Sequence, residues 1–341
     1  MRRVIRFSFL VMMAGWVFIC PGSQGANAVD LKQRLVGASL SGENLSGKNL
    51  SGRDLRGANL KGANLDGATL TGANLTGADL SGASLKGADL REVYLREARL
   101  SDAMLNGANL AKADATRANL VGADLSGANL TLATLDNAHL HKAKFVGAFL
   151  PAARMIKAVG EGADFTQAVM SGADLSQADF TGAVFANADL GARGLGHPGP
   201  SGAILRGTNL TNANLKTANL TNAKMNEAIL VGANLSGAKL GFADLSWSRA
   251  MGADFSKANL GWAKAYAADF RKATFVGAAL PLTQLAGADL SEAVFVKAAF
   301  DRTDMTQANL AGAKFDSLNA GDVYLQAARN LPTGMSKGNG K

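Results

Sequence analysis

Two histidines, His139 and His141, stand two residues apart, a spacing that sets two imidazoles on one side of an extended segment and lets them hold a metal ion weakly. A tight site needs a third ligand. None is identifiable, because His197 lies far off in GARGLGHPGP (191–200), so the pair reads as a solvated surface pair. Aspartates are the second set that could do chemistry. Asp54, Asp79, Asp89, Asp124, Asp164, Asp174, Asp244 and Asp254 would be acids and bases if the fold converged them, but each directly precedes a Leu or Phe, which marks it as part of a repeated local pattern. Asn44, Asn74, Asn129 and Asn234 open Asn-Leu-Ser or Asn-Leu-Thr triplets that match the glycosylation sequon and arise from the same repetition. No G-x-S-x-G, Walker loop or H-E-x-x-H occurs. The one cysteine, Cys20, excludes a disulfide framework and a cysteine zinc site. We expect no enzyme, no cofactor and no metal centre.

The repetition that absorbs these residues has a period of five. Of the 59 positions divisible by five from Leu35 to Leu325, 53 are Leu, Phe or Met; the exceptions are Ala115, Gly160, Pro200, Ala250, Ala265 and Ala320. Two residues before each centre the chain is nearly always Ala, one before is usually Asn or Asp, one after is often Ser or Thr, and two after is often Gly, as in RGANLKGANLDGATLTGANLTGADL (56–80). Five helical steps of 100° smear the leucines around a helix axis, and on a flat strand an odd repeat throws alternate leucines to opposite faces. The chain therefore turns once per pentad. Ala and the centre point inward on a short extended side, and Gly sits at the corner, where a positive φ is needed. Four sides close a square coil of about twenty residues.

In this pattern the chain resembles the pentapeptide-repeat family, whose motif reads A-(D/N)-L-x-x. The resemblance spans residues 35–325. It implies an all-β fold, a right-handed quadrilateral parallel β-helix, here of about 15 coils with one or two interruptions; for activity it implies little. The two interruptions are Met155–Gly160, where Gly replaces a core leucine, and 191–202, where Arg193 and Pro198 replace inward alanines and Pro200, without a ladder donor, replaces a centre. If 191–202 loops out two whole pentads, the face numbering beyond it rotates by half a coil. Glu43, Lys48 and Arg53 fill the inward slot of the opening pentads and fit a terminal coil open to solvent.

Residues 1–28 read as a secretory signal peptide. Arg2, Arg3 and Arg6 precede the apolar run 7–19, and Ala26-Asn27-Ala28 forms the cleavage site, between Ala28 and Val29. Thirteen apolar residues fall short of the ~20 that span a bilayer, so no stable anchor is expected after cleavage; a signal anchor in the inner membrane is the alternative. The expected location is the periplasm or the exterior. The organisation expected is a signal peptide (1–28), an N-terminal cap (29–37) with Asp30 as N-cap, a solenoid (38–190), a loop or bulge (191–202), a second solenoid stretch (203–325) and a flexible tail (326–341).

Composition sets the class of partner. With 48% hydrophobic and 18% charged residues the chain is an ordered one, and the formal charge of +8 falls to +5 without Arg2, Arg3 and Arg6. That excess is too small and too scattered for a nucleic-acid footprint, so no nucleic acid is expected. One cluster departs from the repeat: Phe242, Trp247, Trp262 and Tyr266. Phe242, Trp262 and Leu282 share the slot two after the centre at twenty-residue spacing, and so stack on one face of successive coils. Two readings stay open. Either the cluster is an exposed contact patch, or an aromatic folds back to fill the space left by the undersized centres Ala250 and Ala265. The function expected is a non-enzymatic exported scaffold that contacts an unknown protein partner or an envelope polymer. The alternatives are a DNA-mimic topoisomerase inhibitor, as in the quinolone-resistance branch of the family, which the export signal and positive charge oppose, and a purely structural envelope rod.

Overall fold

A computed structural model describes residues 35–192, 202–316 and 323–332. The described backbone coils so that the outward residue before a centre pairs in parallel with the residue twenty further on, beginning Ser39 with Asn59 and Asn44 with Asn64, except from Asp174 to Asp189, where the offset is thirty. Four such pairings make one circuit, so the cross-section is four-sided. About 14 coils at the ~4.8 Å strand spacing give a rod roughly 65 Å long. Near one end the pairing lengthens into short parallel strands, β1 (Ala279–Pro281) with β2 (Ala299–Asp301) and β3 (Thr303–Asp304) with β4 (Val323–Tyr324).

One pentad shows why the residue pattern takes this form, because all five of its N–H groups can be followed to an acceptor. Leu75 donates to the Tyr94 carbonyl (2.7 Å) and Gly77 to Arg96 (2.9 Å), both on the next coil, while Asn74 donates back to Arg53 (2.8 Å) and Ala73 closes the corner onto Leu70 (2.9 Å). Thr76 is left without a backbone acceptor. It donates to the Asn74 Oδ1 at 3.1 Å. An amide or carboxylate is thus needed one residue before the centre to satisfy the N–H one residue after it, and a Ser or Thr there can add its hydroxyl to the same oxygen, as Ser81 does to Asp79 (2.6 Å). The corner is a type II turn. Its second central residue has positive φ, +66° at Gly77, a conformation that costs least for Gly.

The inward slots make a single hydrophobic column. Leu75, Leu80, Ala73 and Ala78 are fully buried, and larger centres stack through several coils: Phe145 on Phe165 and Phe165 on Phe185, with centroids 4.7 and 4.8 Å apart. Where Thr replaces the inward Ala, its hydroxyl bonds back to a carbonyl, as Thr208 does to Leu175 (2.7 Å). Glu43 and Arg53 are half-buried and Lys48 is exposed in the first coil, which carries nothing beneath it among the described residues.

Three expectations need correction. Gly160 does not interrupt the coil: Val159 keeps its pairings to His139 and Asp179, and the Phe180 ring occupies the volume a side chain at Gly160 would take. The coil is already formed at Leu35, inside the expected cap 29–37, since Leu35 is a buried centre whose carbonyl closes a corner with Ala38. The repeat continues past Leu325, with Ala328 buried and Arg329 paired to Asn309, while Asn330, at the next centre position, is exposed at positive φ and its Nδ2 donates to the Asn309 Oδ1 (2.8 Å). The interruption at 191–202 meets the expectation stated for it: across it the pairing offset is thirty, Asp174 to Ile204 and Asp189 to Asn219, so the ladder skips two pentads and the face numbering beyond rotates by half a coil. The signal peptide, Asp30, His197 and residues 333–341 of the tail lie outside the described residues.

Ala203 donates to the Leu190 carbonyl (2.7 Å), the bond that closes every ordinary corner from three residues on. Removing residues 193–202 joins Leu190-Gly191-Ala192 to Ala203-Ile204-Leu205, a regular pentad. This deletion is expected to leave the melting temperature, followed by circular dichroism, within a few degrees of the parent; loss of the cooperative transition would show that these ten residues belong to the ladder.

Candidate interaction surface

The corner position is where bulky side chains reach furthest from the rod, and the aromatic cluster is built on it. Phe242, Trp247, Trp262 and Leu282 all occupy the positive-φ corner residue, at 59°, 58°, 62° and 56°. Each is held there by a coil-to-coil bond, Phe242 to the Gly261 carbonyl (3.0 Å), Trp262 to Pro281 (2.9 Å) and Leu282 to Asp301 (2.7 Å). Phe242 and Trp262 are 48% and 53% exposed, and their rings stack along the rod with centroids 5.9 Å apart and planes 12° from parallel. Leu282 continues the column half-buried. Trp247, 61% exposed, stands at the next corner of Phe242's own coil. The cluster does not fold back over Ala250 and Ala265: the centre stacked on Ala250 is Phe270, packed edge-on against Phe255 and Phe275.

Between the two corners the wall carries Asp244 and Lys264 outward, with Tyr266 half-buried beside Lys264. The Tyr266 hydroxyl donates to the Gln284 Oε1, and burial, with the nearby charges of Asp304 and Asp244, raises its pKa above the ordinary tyrosine value. Tyr266 thus braces the wall between adjacent coils and is not part of the protruding column.

The residues that suggested chemistry take other roles. The His139 and His141 rings stack with centroids 6.4 Å apart, and among the described residues no group of three or more His, Cys, Asp or Glu could hold a metal ion. Aspartates accept the outward N–H of their own pentad: Asp79 from Ser81, Asp164 from Thr166, Asp254 from Ser256. Hydrogen bonds from Ser81 and from Arg91 hold the Asp79 and Asp89 carboxyls below the usual aspartate value, which keeps them ionised rather than available as acids.

Sequence reasoning did not single out the exposed Tyr94, Met104, Leu132, Phe149, Met251 and Tyr324, and two of these bear on the cluster. Leu132 (52% exposed) and Phe149 (39%) lie on the same side of the rod as Phe242 and Trp262, and Leu132 shares their corner. The signal was present as a twenty-residue column, but only the thirty-residue offset joins residues 132, 152, 172 and 192 to 222, 242, 262 and 282.

The family model for pentapeptide repeats matches eight copies, at residues 34–72, 73–111, 94–131, 113–150, 161–191, 201–230, 228–264 and 283–319. Among solved structures, the chain is similar to HetL of the cyanobacterium Nostoc sp. strain PCC 7120, a pentapeptide repeat protein involved in heterocyst differentiation regulation, at 31% identity over 79% of this chain and 86% of that one, with a TM-score of 0.32. It is also similar to QnrB1, a plasmid-mediated fluoroquinolone resistance protein, at 19% identity over 56% and 88% (TM-score 0.28), and to Rfr23 of the cyanobacterium Cyanothece 51142, at 20% over 45% and 90% (TM-score 0.26). No curated protein matches the chain.

Proposed function

Since the chain belongs to the pentapeptide-repeat family and folds as its right-handed quadrilateral β-helix, we propose that it is a non-enzymatic, exported scaffold that binds a protein partner through the Phe242, Trp262 and Leu282 column and Trp247. The observation that carries this reading is the exposed Phe242–Trp262 stack. The two rings leave large aromatic surface in water that adds nothing to the inward column, the mark of a binding surface. Interfaces draw on such side chains, in which Trp and Tyr dominate binding energy.

The surface charge fits a protein partner better than mimicry of DNA. Carboxylates along the rod alternate with cations and pair with them, Arg91 with Asp89, Arg96 with Asp114, Arg154 with Asp136 and Arg271 with Asp269.

Two measurements test the reading. Iodide is expected to quench the fluorescence of Trp247 and Trp262 efficiently, and Trp262→Ser is expected to keep the melting temperature while losing whatever protein the parent retains on an affinity column. Unquenched tryptophans, or a variant that captures the same protein equally well, overturn the contact surface. Export has its own test: mass spectrometry of the protein recovered from the periplasm or medium is expected to find Val29 at the N-terminus, and a retained Met1 in a membrane fraction overturns it.

A further inference from the structure

One side of the rod differs from the rest. Between the coil of Leu132 and that of Leu282, the side that ends at the aromatic corner carries only two charged residues, Asp189 and Lys239. The side that follows it around the coil carries Arg154, Asp174, Lys224, Asp244 and Lys264 over the same height, with further charges between them. Ion pairs bound the quiet strip at both ends, Glu92 with Lys112 (3.3 Å) and Asp301 with Arg302 (3.2 Å). The rest of it is uncharged, a mixture of small or apolar residues such as Pro151, Val169, Gly241, Gly261, Ala279 and Pro281 with the amides Asn129, Asn219, Asn222 and Asn259 and the hydroxyls of Thr131 and Thr221. Depletion of charge together with exposed aromatics is the composition of an interface core.

The order of side chains along the corner identifies the occupant. Small residues occupy one half, Ala152 and Gly172, and large ones the other, Phe242 and Trp262, with a leucine at each end. The geometry points to a second copy of this chain, packed antiparallel on the first through this strip. A two-fold axis across the strip, midway between the coils of Ala192 and Asn222, sets Phe242 opposite the second copy's Gly172, Trp262 opposite its Ala152, and Leu282 opposite its Leu132. The same axis sets Lys239 opposite Val169, one coil from the second copy's Asp189, so the only two charges on the strip meet with opposite sign. Each contact occurs twice, as an isologous interface requires. Strip dimensions of about 35 Å by about 10 Å give on the order of 350 Å² per copy before the protruding rings are added, less than half of the ~800 Å² per partner of a standard interface. The pairing is accordingly weak and concentration-dependent.

This inference rests on the reading of the aromatic column as a contact surface and specifies what it contacts. Sedimentation velocity of the purified protein from about 1 μM to about 1 mM is expected to show monomer converting to dimer. Gly172→Lys fills the recess opposite Phe242 at a corner where lysine is tolerated elsewhere, as at Lys112 and Lys142, and is expected to weaken the dimer at least tenfold with an unchanged circular dichroism spectrum. Lys239→Glu, exposed and outside the core, is expected to weaken it as well. The chain lacking residues 193–202 keeps every residue of the strip, so it must pair at least as tightly as the parent. A chain that stays monomeric at every concentration overturns the proposal, as does a dimer indifferent to both substitutions. If the protein is monomeric yet loses its captured partner on Trp262→Ser, the self-pairing fails and the contact surface stands.

Discussion

Leu75→Asp is expected to lower stability by more than about 3 kcal/mol, while Asn74→Asp, one residue away, changes it by no more than about 0.5 kcal/mol. Leu75 is fully buried with its backbone tied to Tyr94, in a column whose neighbours are the buried centres Leu55 and Leu95. A carboxylate there has no cation within the column and no water, and the cost of an unpaired buried charge falls on the coil and on its contacts above and below. Asn74 points outward, and its one structural task is to accept the Thr76 N–H, which a carboxylate does equally well. Urea denaturation of the two variants decides the matter; coincident midpoints would mean that the inward and outward assignments are wrong.

The second large effect runs against the repeat's own consensus. Restoring the missing leucine at Gly160 is expected to destabilise the protein by roughly 1–3 kcal/mol, because even its Cβ would fall 2.5 Å from Phe180 Cε1 and 2.7 Å from Cδ1. Phe180 cannot yield easily, since its ring packs edge-on against Phe165 and Phe185 at 5.3 and 5.7 Å. Phe180→Leu alone leaves part of that volume empty and is also expected to destabilise. Combined, the two substitutions rebuild an ordinary leucine column, so the double variant should lie closer to the parent than the sum of the singles, with a coupling of about 1–3 kcal/mol. Additive singles would show that Phe180 does not fill the Gly160 site.

Much of this was legible because a five-residue period leaves few ways to bury a leucine. The inward column, the corner at Gly77 and the solvent-facing Glu43, Lys48 and Arg53 all follow from counting and from the cost of burying charge. What did not follow depended on contacts across coils. The need for Asn74 comes from an N–H of Thr76 that only the assembled coil leaves without a backbone acceptor. Gly160 looked like a break because its compensation, Phe180, lies twenty residues away in a slot where any large centre reads as ordinary. The common edge of Leu132 and Trp262 was hidden by ten residues that occupy sequence but no wall. The end of the repeat was placed early, at Leu325, because the eye followed missing leucines while the backbone followed small inward residues such as Ala328.

The bonds between coils lie along the rod axis, so a force applied at its two ends loads them nearly one circuit at a time, in the manner of a peeled seam. Each coil that detaches frees about twenty residues, lengthening the tether by roughly 60 Å once its ~4.8 Å rise is subtracted. The circuit holding the excursion beyond Ala192 frees thirty residues, as its pairing offset shows, and extends by roughly 100 Å. Under tension the molecule is thus a ruler of near-equal graduations with one long interval, and that interval marks where along the rod the ten extra residues sit.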